Sequence, residues 1–106
     1  MKLKIDLNYK LGNENITKQE ATYNLVLMAI NAKNPQGLQG QARRIFGRLQ
    51  AKLDEAIIAK AKDIDIEMAE LELITKSIDE ASLPVAQASN YFLIEEAIAQ
   101  TMKKAV

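Results

Sequence analysis

The side chains best placed to act on another molecule are four cations in the middle of the chain. Arg44, Arg48 and Lys52 recur at i, i+4 and i+8, which puts them in one line on a helix, and Arg43 stands beside the first of them. Like charges at that spacing repel by a few tenths of a kcal/mol per pair, and Arg43 and Arg44 fall near the expected start of the helix, where the backbone dipole is already positive. The arrangement calls for an anion. Three sources are open: the chain's own acidic segment over residues 63–80, an acidic face of a protein partner or second copy, and nucleic-acid phosphate. The chemistry in each case is binding, not bond-making.

Other constellations fail the templates they suggest. Asp63-x-Asp65-x-Glu67 opens like a calcium loop, but the loop needs Gly at position six and Glu at position twelve, where this chain has Met68 and Ile74. A charged outer face of an edge strand is the plainer reading. The loop from Gly37 to Gly40 lacks the Gly-Lys-Ser/Thr element of a phosphate-cradling loop. Ser77, Ser82 and Ser89 have no histidine to activate them, since the chain contains none, and no Ser-x-x-Lys is present. Glu95 and Glu96 are adjacent on a helix and point about 100° apart, poor geometry for shared acid–base work. With no cysteine and no histidine, thiol nucleophiles, disulfides, structural zinc and imidazole bases are excluded. The expectation is a non-enzymatic chain with no cofactor and no metal site.

The elements that position these residues follow from composition and periodicity. At 106 residues, 48% hydrophobic and 26% charged, the chain has the profile of one globular domain spanning residues 1–106. Net charge is zero but unevenly spread, with a basic block over 31–62 (net +5) followed by an acidic block over 63–82 (net −6). The blocks are expected to complement each other within the fold or across a subunit interface. The absence of a positive excess argues against non-specific nucleic-acid binding. No apolar run reaches membrane-spanning length, and the alternating start of the chain is unlike a signal peptide, so no membrane association and a cytoplasmic location are expected.

Odd positions Leu3, Ile5, Leu7, Tyr9 and Leu11 are apolar and the intervening ones polar, a period of two that predicts a half-buried strand over residues 1–11. Gly12, Asn13 and Asn15 mark a turn. Thr17-Lys18-Gln19-Glu20 has the form of a capping box, which starts a first helix ending at Lys33-Asn34-Pro35. Its centre, Leu25 to Ile30, is apolar nearly all round and needs cover from the core or from a second chain. The clearest amphipathic pattern, Leu38, Ala42, Ile45, Phe46, Leu49, Leu53, Ala56 and Ile57, predicts a second helix over about 41–61, with Gly47 suggesting close helix packing. Asp63 to Glu67 alternates as a short second strand. A third helix carries Met68, Leu71, Ile74, Ile78 and Ala81, with Glu67, Glu70 and Glu72 near its positive end, and stops at Ser82-Leu83-Pro84. A fourth, over about 86–104, aligns Tyr91, Ile94, Ile98 and Met102. The fold class is therefore α+β and mostly helical, in the order β-α-α-β-α-α, with four helices and a minimal two-stranded sheet.

The run NPQGLQGQARRIFGRLQAKLDEAI, followed by IDIEMAELELI, resembles segments of small accessory proteins of tailed phages and prophages over about half the chain. The resemblance implies a binding protein acting in virion assembly or in control of a host component, and it assigns no site residues. Together these readings favour a protein-interaction module that forms a homo-oligomer, with Arg43, Arg44, Arg48 and Lys52 at the contact; the alternative is a small nucleic-acid-binding regulator using the same basic helix. A helix-turn-helix reader has a shorter turn than the loop over 34–40, and the tyrosines are not interleaved with the arginines as on a single-strand platform.

Overall fold

The computed structural model describes residues 1–12 and 15–105. Strand β1 (Lys2–Lys4) is followed by helices α1 (Lys18–Lys33) and α2 (Gly40–Ala59), strand β2 (Asp63–Asp65), helix α3 (Met68–Glu80), a 3₁₀ turn (Val85–Gln87) and helix α4 (Ala88–Lys104). The mostly helical α+β class, the element order and the two-stranded sheet agree with the sequence reading. β1 and β2 are antiparallel, with Lys2 opposite Asp65, Leu3 opposite Ile64 and Lys4 opposite Asp63. Leu3, Ile5, Ile64 and Ile66 face inward and join Leu25, Val26 and Ile30 of α1, Leu49 and Leu53 of α2, Leu71 and Ile74 of α3, and Tyr91 and Ile94 of α4 in one core. The radius of gyration, 12.9 Å, is that of a single unit of this length.

The expected ten-residue strand is a correction: only Lys2–Lys4 pairs as a regular strand. α2 ends at Ala59 and α3 begins at Met68, so the connection between them offers β1 a short partner. Past Ile5 the backbone is satisfied by other means. Ile5 and Asp6 both donate to the Lys62 carbonyl (2.9 and 3.3 Å), and Thr22 Oγ1 donates to the Ile5 carbonyl (2.7 Å) and accepts from the Tyr9 hydroxyl (2.7 Å). The Asn90 side-chain amide then acts as a substitute strand for Lys10, accepting from its N–H (2.8 Å) and donating to its carbonyl (3.0 Å). Alternating burial persists only in part beyond the ladder: Leu3 and Ile5 are buried and Leu7 and Tyr9 half-buried, but Asp6 is half-buried as well and Leu11, expected to face inward, is exposed.

α1 begins where its cap predicts, with the Glu20 N–H donating to Thr17 Oγ1 (3.1 Å). Its apolar centre is covered inside the chain by α2 and α3, with Met28 left partly exposed. Asn13 of the predicted turn lies outside the described residues. Gly37 and Gly40 adopt positive φ (92° and 56°), which suits residues without Cβ in the loop that enters α2. Gly47 does not mark a close approach, because a Cβ there would meet nothing within 4 Å. On α4 the inner stripe includes Asn90 and Thr101, and Met102 is exposed, because Thr101 Oγ1 donates to the Lys2 carbonyl (2.9 Å) and brings its own side of the helix onto β1.

Candidate functional site

The four cations singled out from the sequence divide between two environments. Lys52 lies where α2 passes the start of α3, and its Nζ contacts Glu70 Oε1 at 2.7 Å. Glu70 is fully buried, and the same Oε1 accepts the Glu67 N–H at 2.8 Å, so this carboxylate both caps α3 and neutralises Lys52. Glu70 Oε2 is buried with no hydrogen-bond partner. Arg43, Arg44 and Arg48 are exposed and make no ion pair or side-chain hydrogen bond among the described residues.

Three carboxylates of the acidic segment pair with lysines from three elements: Lys2 with Asp65 (2.9 Å), Lys52 with Glu70, and Lys33 with Glu80 (3.8 Å); Asp63, Glu67, Glu72 and Asp79 make no ion pair among the described residues. Lys2 holds the exposed Asp65 carboxyl below its ordinary value by a hydrogen bond and by charge, and the Lys2 ammonium is raised in return. The two blocks therefore meet inside the fold through Lys33 and Lys52, and the arginines are left out of that pairing.

The arginines sit on the N-terminal half of α2, which has no side-chain cap on its first turn and no acidic residue there. The orphan N–H groups and the arginine charges thus add at one end of the molecule. Arg43 lines an open recess of about 260 Å³ together with Ile30, Asn31, Asn34, Leu38 and Phe46. On the helix beyond it, Arg44, Gly47, Arg48 and Ala51 are all exposed. This surface is suited to carboxylates or phosphates, which guanidinium groups bind in bidentate fashion.

Sequence reading missed Glu70 and Asn90 as organisers of the structure. Glu70 was placed among carboxylates favoured by the helix dipole, a role it fulfils, but its spacing to Ile74 and Ile78 at i+4 and i+8 also puts it on the buried stripe. Asn90 adjoins Tyr91 at the inner face of α4 and carried no such signal. Among the described residues no group of three acidic side chains is gathered to hold a metal ion, and no helix is long and apolar enough to cross a membrane. Compared with known protein families, curated proteins and solved structures, the chain matches none of them.

Proposed function

We propose that this chain is a non-enzymatic protein-interaction module whose arginine face on α2 docks an acidic surface of a protein partner. One observation carries the reading: Arg43, Arg44 and Arg48 stay exposed and unpaired among the described residues, although the same chain neutralises Lys52 with a buried glutamate. The chain's own acidic segment takes lysines at Asp65, Glu70 and Glu80 and takes none of these arginines among the described residues. The resemblance to small accessory proteins of tailed phages supports a role in virion assembly or in control of a host component, in the cytoplasm. Self-association belongs to the same reading only at Ile58, Val85 and Phe92, which keep 84%, 91% and 57% of their surface exposed, since the apolar centre of α1 is covered by α2 and α3.

The test is affinity capture with wild-type protein and with the triple variant Arg43→Ala, Arg44→Ala, Arg48→Ala. The expected result is a specific protein retained by the wild type and lost by the variant, with nucleic acid at background. The second reading, a small nucleic-acid-binding regulator, draws on the same free arginines beside an uncapped helix start, a setting that phosphate also favours. Tight DNA or RNA binding by the wild type would establish that alternative if it weakened by about 0.9 log unit per log of salt for each phosphate contacted and was lost in the triple variant.

A further inference from the structure

The two edges of the two-stranded sheet have different neighbours among the described residues. The end bonds of the ladder, from the Ile66 N–H to the Met1 carbonyl (2.8 Å) and from the Ile5 N–H to the Lys62 carbonyl (2.9 Å), set its phase. By the two-residue alternation of antiparallel pairing, Leu3 and Ile64 are the hydrogen-bonded pair between them. The outward amides of β1 therefore belong to Lys2 and Lys4, and those of β2 to Asp63 and Asp65. α4 packs along β1, where Thr101 takes the Lys2 carbonyl. The outward N–H and C=O groups of Asp63 and Asp65 have no partner among the described residues. Beside them runs an open groove of about 370 Å³, walled by Glu55, Ala56 and Ala59 of α2 and bordered by Lys2, Lys52 and Ile64.

We propose that the outer edge of β2 takes an extended protein segment with lysine or arginine at alternate positions, added as a third strand in the groove against α2. Main-chain bonds to Asp63 and Asp65 supply the pairing and the side chains supply the selection. The charges name the occupant. In the groove Lys2 and Lys52 are already paired with Asp65 and Glu70, whereas Glu55 and Asp63 make no ion pair among the described residues. On its other edge β2 already accepts a strand of this chemistry, with Lys2 and Lys4 of β1 opposite Asp65 and Asp63. A second copy is disfavoured as occupant: β2 against β2 would set aspartates opposite aspartates, and α4 flanks the outer edge of β1, with Thr101 already on the Lys2 carbonyl. The small side chains of Ala56 and Ala59 leave room for the added backbone.

The test uses two blocked octapeptides that alternate valine with lysine or valine with glutamate, titrated into the isotopically labelled full chain. The expected result is binding of the lysine peptide alone, with hydrogen-exchange protection appearing at the amides of Asp63 and Asp65. Glu55→Lys combined with Asp63→Lys, both at exposed positions, should weaken the lysine peptide by about tenfold and admit the glutamate peptide. Asp65→Pro, compared with Asp65→Ala so that loss of the Lys2 ion pair is common to both, removes one outward N–H and should weaken binding further. Equal binding of both peptides, or protection mapping elsewhere, overturns the proposal. So does protection of these amides by self-association without peptide, since the occupant would then be a second copy. Because the arginine face is not involved, the triple arginine variant should bind the lysine peptide as the wild type does, which separates this proposal from the reading above.

Discussion

Arg48 and Lys52 stand one helical turn apart on α2 and carry the same charge, yet the fold treats them differently. Lys52 reaches inward to a glutamate with no exposed surface, whereas Arg48 reaches outward and pairs with nothing among the described residues. The difference separates a cation that holds the fold from cations left to solvent among the described residues. Desolvating Glu70 is unfavourable, and the Lys52 ammonium and Glu67 N–H offset that penalty only while both are in place. Lys52→Ala should therefore destabilise the protein by about 3 kcal/mol, near the lower end for broken buried pairs because the lysine keeps some contact with water. Lys52→Met combined with Glu70→Leu should recover most of that loss. Urea denaturation reads both, and a change below about 0.5 kcal/mol for Lys52→Ala would erase the distinction between the two positions.

The interior also holds polar groups that are neutral, and they sharpen the contrast from the alkaline side. Tyr91 donates to the Leu25 carbonyl at 2.6 Å, and burial pushes its phenol up to about 12; burial does the same at Tyr9, also to about 12. Unfolded tyrosines release their protons near 10, so as pH rises the unfolded chain ionises first. Stability from these groups is complete below about pH 10 and is lost as pH climbs from there toward 12. Tyrosinate absorbance followed together with far-ultraviolet circular dichroism should show late phenol ionisation coinciding with unfolding. Tyr91→Phe should remove part of that alkaline loss and cost about 1 kcal/mol at neutral pH.

Much of this organisation was legible in the sequence, and the parts that were not share a cause. Helices α2 to α4 follow from 3.6-residue periodicity and stop signals, and α1 from its Thr17 cap and the Asn34-Pro35 stop, because those are local properties; the line of Ala21, Leu25, Met28 and Ala32 expected on α1 does not hold, since Met28 and Ala32 are exposed. The period of two over residues 1–11 indicates which side chains turn inward, and Leu3, Ile5, Leu7 and Tyr9 do so while Leu11 does not, but it does not indicate how many residues find a ladder partner. That depends on the short connection between α2 and α3. The basic stripe was read as one unit because Arg44, Arg48 and Lys52 are equivalent along a helix. They cease to be equivalent when the start of α3 comes to rest beside Lys52 alone. Thr101 was passed over in favour of Met102 for the same reason: a hydroxyl belongs inside only where an acceptor, here the Lys2 carbonyl, is brought to it.

Gly47, between Arg44 and Arg48, probes the outward face without touching its charge. A Cβ at this position meets nothing within 4 Å, and the backbone is helical, so Gly47→Ala should raise stability by about 1 kcal/mol through the lower backbone entropy of alanine in the unfolded chain. A destabilisation measured in urea would mean that α2 is packed against something at this point.

The smallest effect on stability is expected at the arginines themselves. Arg44→Ala with Arg48→Ala removes two exposed cations that contact no acidic group among the described residues, so stability should stay within about 0.5 kcal/mol of the wild type. A slight gain is the more natural sign, because the repulsion between the two arginines and with the positive end of α2 is relieved. Partner capture should fall sharply in the same variant. Stability retained while binding is lost separates a docking surface from a structural one, and it is the reverse of the pattern expected at Lys52. If the double variant instead unfolds as easily as Lys52→Ala, the arginines serve the fold and the proposal that they form a docking surface fails.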